Sequence, residues 1–230
     1  MTVNGESRTS QRMPAEERRA RILEVAYEAF ATLGYDGVSM EEIARRVGVT
    51  KPILYRHFAS KDDLCAECLY LLGAQMLEGV RNATDPSLPA DGQLWAGIQA
   101  YLRFIQEHKN EWRVFMREAP LRGGAAAEAV ASGRSAATSM LSDLLDQVIV
   151  TGGAPTLSRL ELDAQAHLFQ GAVEHVALWW EAHPEQPMEL VALRTMNFVW
   201  QGAGRLFKGQ YWLPGVRKPG IRKEKGSQGS

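Results

Sequence analysis

The chain has 230 residues, of which 45% are hydrophobic, and a formal net charge of -1. This hydrophobic fraction is sufficient for one large or two modest domains and excludes a disordered chain. The near-neutral charge excludes a uniformly basic surface, so any affinity for nucleic acid has to come from a local charged region. No apolar run approaches the roughly 20 residues that span a bilayer, and the N-terminus lacks the features of a signal peptide. We therefore expect a cytoplasmic protein without membrane association.

The chain opens with a polar segment and continues into a helix that supplies one face of a core. Residues 1–13 are expected to form a flexible arm. Pro14 suits the first turn of a helix, and Gly34 is placed to end it. Between them, apolar residues recur at helical spacing: Ile22, Val25, Ala26, Ala29, Phe30 and Leu33.

Two short helices joined by a tight turn follow this first helix. Ser39 is placed to cap the first of them, with Glu42 completing a capping box, and Gly48 suits the left-handed conformation just past its end. Thr50 is placed to cap the second, and Pro52 lies in its first turn, where a missing amide costs nothing. The pattern predicts a helix-turn-helix, a common DNA-reading motif.

Positive charge is concentrated on this helix-turn-helix. Between Glu42 and Asp62 there is no acidic residue, but there are several basic ones: Arg45, Arg46, Lys51, Arg56 and Lys61. A basic face of this kind is typical of a DNA reader. For Arg45 and Arg46, a solvated helix surface is an equally good interpretation.

The rest of the chain is patterned as helices. Ser60 is placed to cap the next helix. The proline-containing loop at residues 84–91 marks a natural domain boundary. The two closing helices are predicted over about 157–181 and 188–207. No segment alternates with a period of two. We therefore predict an all-α protein of about nine helices, with a three-helix helix-turn-helix domain at 14–60, a helical bundle at 61–213 and a disordered basic tail at 214–230.

The second short helix and its flanks read Thr50-Lys51-Pro52-Ile53-Leu54-Tyr55-Arg56-His57-Phe58-Ala59-Ser60-Lys61. This run resembles the DNA-binding signature of the tetracycline-repressor (TetR/AcrR-like) family of transcription regulators. The resemblance extends upstream to Ile22-Leu23 and covers about a quarter of the chain. It implies that the third helix lies in the major groove and that the remaining helices form a ligand-binding and dimerisation unit. The implied partners are a double-stranded DNA operator, a small-molecule effector and a second copy of the chain.

Spacing on the second short helix separates a contact face from a packing face. Lys51 and Tyr55 are four residues apart and lie opposite Leu54 and Phe58. Lysine can donate to guanine edges or phosphate, a tyrosine hydroxyl can reach phosphate, and an apolar side chain can contact a thymine methyl. With the positions that the resemblance adds, the predicted DNA-binding residues are Ser39, Thr50, Lys51, Pro52, Ile53, Tyr55, Arg56, His57 and Lys61. Ile53 is bulkier than the residue usual in the family, so no base preference is carried over there.

Several large side chains beyond residue 90 are candidates for an apolar ligand pocket between helices, where ligand sites in helical domains tend to lie. Core packing is the alternative for most of them. His175 lies on the same side of its helix as His167 and could polarise a ligand or bind metal, or simply be a satisfied group at a helix interface. The candidate set is Trp95, Phe104, Trp112, Phe115, Met116, Met140, Phe169, His175 and Trp179.

Cys65 and Cys68 are the only cysteines, and their spacing matches half of a zinc site. A zinc site needs about four ligands, however, and His57 is the only histidine nearby in the sequence. We interpret both cysteines as small, semi-buried helix residues rather than as a redox or metal pair. No metal or cofactor is expected.

Function follows from these motifs. The chain has no phosphate loop, metal motif or nucleophile elbow, so we do not expect an enzyme.

Small residues and tryptophans on the two closing helices fit packing within one subunit or a dimer interface. The resemblance favours a two-fold dimer, which would match a palindromic operator. We expect a ligand-responsive repressor released by a small apolar or amphipathic effector, with an activator left open. The alternative is a helical small-molecule or acyl-chain binding protein whose DNA binding is secondary or lost.

Overall fold

The computed structural model describes residues 14–151 and 157–206, which form helices and no strand. Counting the broken run from Lys109 to Arg122 as one helix, these residues form nine: α1 (Ala15–Leu33), α2 (Met40–Val47), α3 (Lys51–His57), α4 (Lys61–Ala83), α5 (Ala90–Glu107), α6 (Lys109–Arg113, a π-helical turn Val114–Glu118, and Ala119–Arg122), α7 (Gly124–Thr151), α8 (Arg159–Glu181) and α9 (Met188–Leu206). The predicted all-α class is confirmed. The predicted flexible arm and basic tail lie outside the described residues.

Helices α1 to α3 enclose a small core of their own. Ile22 from α1, Ile43 from α2 and Leu54 from α3 are all fully buried. Phe58, at the end of α3, closes this core and is 3% exposed. Burial of these apolar side chains is the main force that holds the two short helices against α1, since helices of seven or eight residues are not stable alone.

The turn between α2 and α3 has the glycine geometry that the sequence predicts, but the cap of α2 differs. Gly48 adopts φ 78° and ψ 31°, and its amide donates to the Ala44 carbonyl. The Ser39 hydroxyl accepts the Glu42 amide at 3.1 Å. The reciprocal half of the predicted capping box is wrong, because the Glu42 carboxylate is held by Arg45 and Arg46 instead.

Helix α4 belongs to both parts of the molecule. Its N-terminal cap is the Ser60 hydroxyl, which accepts the Asp63 amide at 3.0 Å, as the sequence predicts. Along its length Leu64, Leu72 and Met76 are buried, and the helix packs against α1 on one side and against α5 and α7 on the other. A single apolar core therefore runs through α4, and a domain boundary at residues 60 and 61 stays a prediction.

Helix α6 is longer than the short helix that the sequence suggests around residues 112–116, and a π-helical turn interrupts it. At its end, Gly123 and Gly124 both have positive φ and turn the chain into α7. Asp62 accepts the Ala125 amide at 2.7 Å, and a Cβ on Gly124 would lie 2.6 Å from a carboxylate oxygen of Asp62. The positive φ favours a glycine there, and a Cβ would also displace the Asp62 carboxylate from its position beside the Ala125 amide.

The two closing helices pack against each other, and α9 also packs against α5. Val191 and Ala192 are fully buried on the inner face of α9. On the outer faces, several large apolar side chains are exposed: Leu160, Leu168, Trp179, Leu193 and Phe198. Within the described ranges, none of the helices has the length and apolar character needed to cross a membrane.

Candidate nucleic-acid interface and ligand cavity

Helix α3 separates a buried face from an exposed one. Leu54 is fully buried and fixes how the helix is rotated, while the Tyr55 side chain is 42% exposed. Lys51, Pro52 and Arg56 are also exposed, and Ile53 is half-buried. The first three residues of α3 and Tyr55 therefore lie on a surface that a DNA groove can reach.

Lys51 forms an ion pair with Glu41 from α2, and its ammonium lies 5.8 Å from the centre of the Tyr55 ring. The Glu41 hydrogen bond raises the pKa of Lys51 and lowers that of Glu41. Both side chains are exposed, and exposed ion pairs contribute little to stability. A DNA phosphate can therefore take the place of Glu41 at small cost.

Arg45 and Arg46 share one carboxylate. Arg45 donates to the Glu42 oxygens at 2.9 and 2.8 Å, and Arg46 donates at 2.7 Å. These hydrogen bonds lower the pKa of Glu42 to about 2. The basic stretch is thus flanked by two carboxylates that partly neutralise it, which the i, i+3 and i, i+4 spacing could have indicated.

Lys61 is used inside the protein. Its ammonium donates to the Tyr35 and Val38 carbonyls, both at 3.0 Å, and lies 4.2 Å from the centre of the Tyr35 ring. These contacts tie the N-terminus of α4 to the α1–α2 loop. An ammonium has three donors, so one remains for the predicted DNA contact.

The other predicted contacts differ in charge and exposure. His57 is half-buried and its Nε2 atom has no hydrogen-bond partner among the described residues. Burial, and then the neighbouring Arg56, lowers the pKa of His57, so the imidazole is neutral near pH 7. Ser39 and Thr50 are exposed, and the Thr50 hydroxyl makes no capping bond within its helix. Both hydroxyls can donate to phosphate, whereas His57 adds no charge.

A cavity of about 600 Å³ lies between α4, α5, α7 and α8. Its wall is mostly apolar and includes Met76, Leu94, Ile98, Met140, Phe169 and Val173. Its volume lies within the range of pockets that enclose a drug-sized molecule. Trp112, Met140 and Phe169 are the members of the predicted ligand set that line it.

The other members of that set whose side chains the structure describes do not line this cavity. Phe104 packs at a tilt against His108 with ring centroids 4.3 Å apart, and Trp179 stacks against His183 at 4.5 Å. His175 is exposed, and its Nδ1 lies 2.9 Å from the Gly171 carbonyl. Trp95 and Met116 pack around the core without lining the cavity, and the Phe115 side chain lies outside the described residues.

Sequence reasoning missed the polar part of the cavity wall, which includes a cluster of Tyr101, Arg134, Gln170 and Glu174. Gln170 donates to Glu174 at 2.9 Å, and Arg134 lies 3.3 Å from the same carboxylate. The i, i+4 spacing of Gln170 and Glu174 was the available signal. That Arg134 faces them depends on the packing of α7 on α8, which local spacing does not show.

Both cysteines are buried and free. Burial raises the pKa of Cys65 to about 12 and also raises the pKa of Cys68. Since the thiolate is the reactive and metal-binding form, this environment suits packing better than redox or metal chemistry. In the part of the chain that the structure describes, no cluster of His, Cys, Asp and Glu could hold a metal ion.

The end of α6 contacts the loop before α2. Glu118, in the π-helical turn, accepts the Tyr35 amide at 2.9 Å. Arg122 forms an ion pair with Asp36, and its guanidinium lies 4.5 Å from the centre of the Tyr35 ring. Because Trp112 at the start of α6 lines the cavity, one helix connects the cavity wall to the helix-turn-helix.

A three-helix helix-turn-helix unit joined through a shared helix to a larger helical part with a cavity indicates the class of helix-turn-helix transcription regulators. Sequence comparison gives the same class. The profile described as "Bacterial regulatory proteins, tetR family" matches residues 22–68, and "Tetracyclin repressor-like, C-terminal domain" matches residues 90–202. The chain belongs to the TetR family of transcriptional regulators.

Similar proteins carry corresponding names. The HTH-type transcriptional activator FasR of Mycolicibacterium smegmatis is 32% identical over 143 residues, which is 62% of this chain and 65% of that protein, just under two thirds of its length. The HTH-type transcriptional regulator YhgD of Bacillus subtilis is 25% identical over 81% of this chain and 96% of its own. A TetR-like regulator from Rhodococcus sp. RHA1 superposes with a TM-score of 0.63 at 27% identity, covering 84% of this chain and 99% of that structure.

Proposed function

We propose that this chain is a ligand-responsive, sequence-specific regulator that binds a palindromic operator as a homodimer, with α3 of each subunit in the major groove. The observation that carries the proposal is the arrangement of α3, in which buried Leu54 presents Lys51, Tyr55 and Arg56 outward. Basic and aromatic side chains on an exposed recognition helix are the groups that contact phosphates and base edges.

The predicted residues divide by the kind of contact they can make. Lys51 and Arg56 carry charge to phosphates or guanine edges, and the half-buried Ile53 offers apolar contact to a thymine methyl. Ser39, Thr50 and Tyr55 have hydroxyls that suit phosphate oxygens, and Pro52 shapes the first turn of α3. Lys61 holds the α1–α2 loop with two of its donors and keeps the third for a phosphate, and the neutral His57 can form a hydrogen bond to the DNA backbone but adds no charge.

A homodimer is supported by the outer faces of α8 and α9. Leu168 is 68% exposed, Leu193 is 49% exposed and Phe198 is 75% exposed. Large apolar side chains exposed on neighbouring helices are typical of an interaction surface. A two-fold dimer through these helices places two α3 helices against a palindrome.

The cavity is the proposed effector site, and the effector is an apolar or amphipathic small molecule. A ligand that favours a state in which the two α3 helices are wrongly spaced lowers operator affinity. We propose that the bound dimer represses and that the effector releases it. FasR of M. smegmatis is named as an activator. In vitro transcription with and without the protein therefore tests whether this chain represses or activates.

The test is selection of binding sites from random DNA with the full-length protein, which we expect to recover a palindrome. Lys51→Ala and Tyr55→Phe should then weaken binding to that site, and Lys51→Ala should reduce the slope of log affinity against log salt by about one. Lys109→Ala, an exposed lysine on α6, is the matched control and should bind as the unchanged protein does.

Two outcomes would contradict the proposal. If neither α3 variant changes operator affinity or its salt slope, α3 is not the reading helix. If selection recovers no preferred sequence while small apolar molecules still bind, the chain is instead a helical small-molecule or acyl-chain binding protein.

A further inference from the structure

One buried polar group in the cavity wall has no protein partner. The hydroxyl of Tyr101, on α5, is buried and has no hydrogen-bond partner among the described residues. The Tyr101 ring packs edge-on against Trp112, with centroids 5.5 Å apart, and both residues line the cavity. A buried hydroxyl without a partner loses its hydration without replacement, which is costly unless a bound molecule supplies an acceptor.

This hydroxyl is a donor under all ordinary conditions. Burial raises the pKa of Tyr101 well above its usual value, the Glu174 carboxylate raises it further, and Arg134 acts in the opposite direction. The hydroxyl therefore keeps its proton near pH 7. It lies near one negative and one positive group, the Glu174 carboxylate and the Arg134 guanidinium.

Arg134, which also lines the cavity, has only long or weak hydrogen-bond acceptors. Arg134 lies 3.3 Å from the Glu174 carboxylate, a long ion pair, and another of its nitrogens contacts the Met116 sulfur at 3.4 Å. A thioether is a weak acceptor. Donors are thus available at one place in an otherwise apolar wall.

The charges around the cavity balance. Its charged lining residues are two arginines, Arg81 and Arg134, and two acids, Asp143 and Glu174, so their formal sum is zero. An anionic group entering near Arg134 would meet the Glu174 carboxylate, whereas an uncharged oxygen would not be repelled. Charge balance therefore favours a neutral ligand.

From this geometry we propose that the cavity takes an uncharged, largely apolar molecule with one oxygen acceptor, such as a ketone or ester, that accepts a hydrogen bond from the Tyr101 hydroxyl. The inference rests on the cavity being the effector site. It specifies that the effector carries a neutral hydrogen-bond acceptor and that the Tyr101 hydroxyl recognises this acceptor.

The experiment compares three probes of similar shape by isothermal titration calorimetry with the full-length protein: 2-acetylnaphthalene, 2-ethylnaphthalene and 2-naphthoate. We expect 2-acetylnaphthalene to bind roughly tenfold more tightly than 2-ethylnaphthalene, the effect of one well-placed hydrogen bond, and 2-naphthoate to bind more weakly than 2-acetylnaphthalene. In Tyr101→Phe, the preference for the ketone should fall to about twofold or less, with 2-ethylnaphthalene unaffected.

Tyr70→Phe is the matched control, because Tyr70 is on α4 and is 46% exposed, and it should keep the full preference. Thermal unfolding without ligand should give Tyr101→Phe a melting temperature equal to or above that of the unchanged protein, since the substitution removes an unpaired buried hydroxyl. A lower melting temperature would mean that the hydroxyl already has a partner within the protein, and would overturn the proposal.

The binding outcomes also separate this proposal from the one on which it rests. Equal binding of 2-acetylnaphthalene and 2-ethylnaphthalene, tightest binding of 2-naphthoate, or an unchanged ketone preference in Tyr101→Phe would each overturn the neutral-acceptor site alone. If Ala137→Trp, which places a large side chain in the cavity wall, leaves probe binding unchanged, the probes bind elsewhere and both proposals about the cavity fail. Operator binding of each variant is measured separately.

Discussion

At the scale of single residues, two lysines of the same motif have different surroundings. Lys51 is exposed and paired only with the exposed Glu41. Lys61 is half-buried and holds two backbone carbonyls, those of Tyr35 and Val38. Identical side chains ten residues apart therefore differ in availability: Lys61 attaches the α1–α2 loop, whereas Lys51 is left exposed for the proposed DNA contact.

The first prediction concerns these two lysines. Lys61→Ala should lower the free energy of unfolding by about 1–2 kcal/mol, because two hydrogen bonds from a charged donor are lost. Lys51→Ala should leave the unfolding midpoint in urea unchanged within error, while it weakens operator binding. Equal stability of both variants would mean that the contacts of Lys61 are not formed in solution.

The second prediction concerns the buried thiols. Because the pKa of Cys65 is raised to about 12 and that of Cys68 is raised as well, neither should react readily at pH 8. Labelling by a thiol reagent should be roughly a hundredfold or more slower in the native protein than in urea. Rapid native labelling would favour a redox role.

The raised thiol pKa values also set a pH dependence. A thiol whose pKa is higher in the folded state stabilises the fold below its unfolded value, near 9, and this contribution is lost as the pH rises towards 12. Unfolding in urea should therefore become easier over this range. The decrease of the free energy of unfolding with pH should be smaller in Cys65→Ala/Cys68→Ala. An identical decrease in this variant would assign the effect to other groups, such as Tyr27, because burial also raises the pKa of Tyr27.

At the scale of elements, α6 is a second physical connection, beside α4, between the cavity and the helix-turn-helix. It begins beside the cavity at Trp112 and ends on the α1–α2 loop, where Glu118 and Arg122 hold Tyr35 and Asp36. The π-helical turn between these ends is an uncommon helix geometry that frequently occurs at functional sites. Movement of the cavity wall can therefore change the position of α2 through few contacts.

The third prediction tests this connection. Glu118→Ala removes the acceptor of the Tyr35 amide, so hydrogen exchange at that amide should accelerate about tenfold or more, and operator affinity should fall. Glu181→Ala is the control, since Glu181 pairs with Arg117 of the same π-helical turn at 3.1 Å but is not among the residues that hold Tyr35. Unchanged exchange in Glu118→Ala would show that the loop is held by other contacts.

At the scale of the whole molecule, the two closing helices expose several large apolar side chains to solvent. Their inner residues belong to the core, while Phe198 and Leu168 point away from it. The proposed dimer covers these side chains and sets the distance between the two α3 helices.

The fourth prediction is that Phe198→Glu separates the subunits. Placing a charge at the centre of an apolar interface leaves it unpaired on association, which strongly disfavours the dimer. Sedimentation should shift from a species of twice 25.5 kDa to one of 25.5 kDa. Leu121→Glu, an exposed leucine outside the closing helices, should stay dimeric, and a monomeric unchanged protein would refute the interface.

The sequence alone was enough to predict the helix-turn-helix, the all-α class and the approximate helix count. These features depend on local chemistry: helical spacing of Ile22 and Ala26, a left-handed glycine at position 48, and the Ser60 cap of α4. Each acts within one or two turns of helix. For the same reason the rotation of α3, which buries Leu54 and exposes Tyr55, could be derived from spacing.

Only the tertiary structure decided which side chains line the cavity and which partners the charges take. Periodicity identifies a buried face but not the helix that covers it, so Phe104 and Trp179 could not be separated from Trp112 and Phe169. The carbonyls that hold Lys61 lie 23 and 26 residues away, and the Arg134 and Glu174 pair spans 40 residues. Such contacts arise from the packing of whole helices, whose relative positions local sequence spacing does not specify.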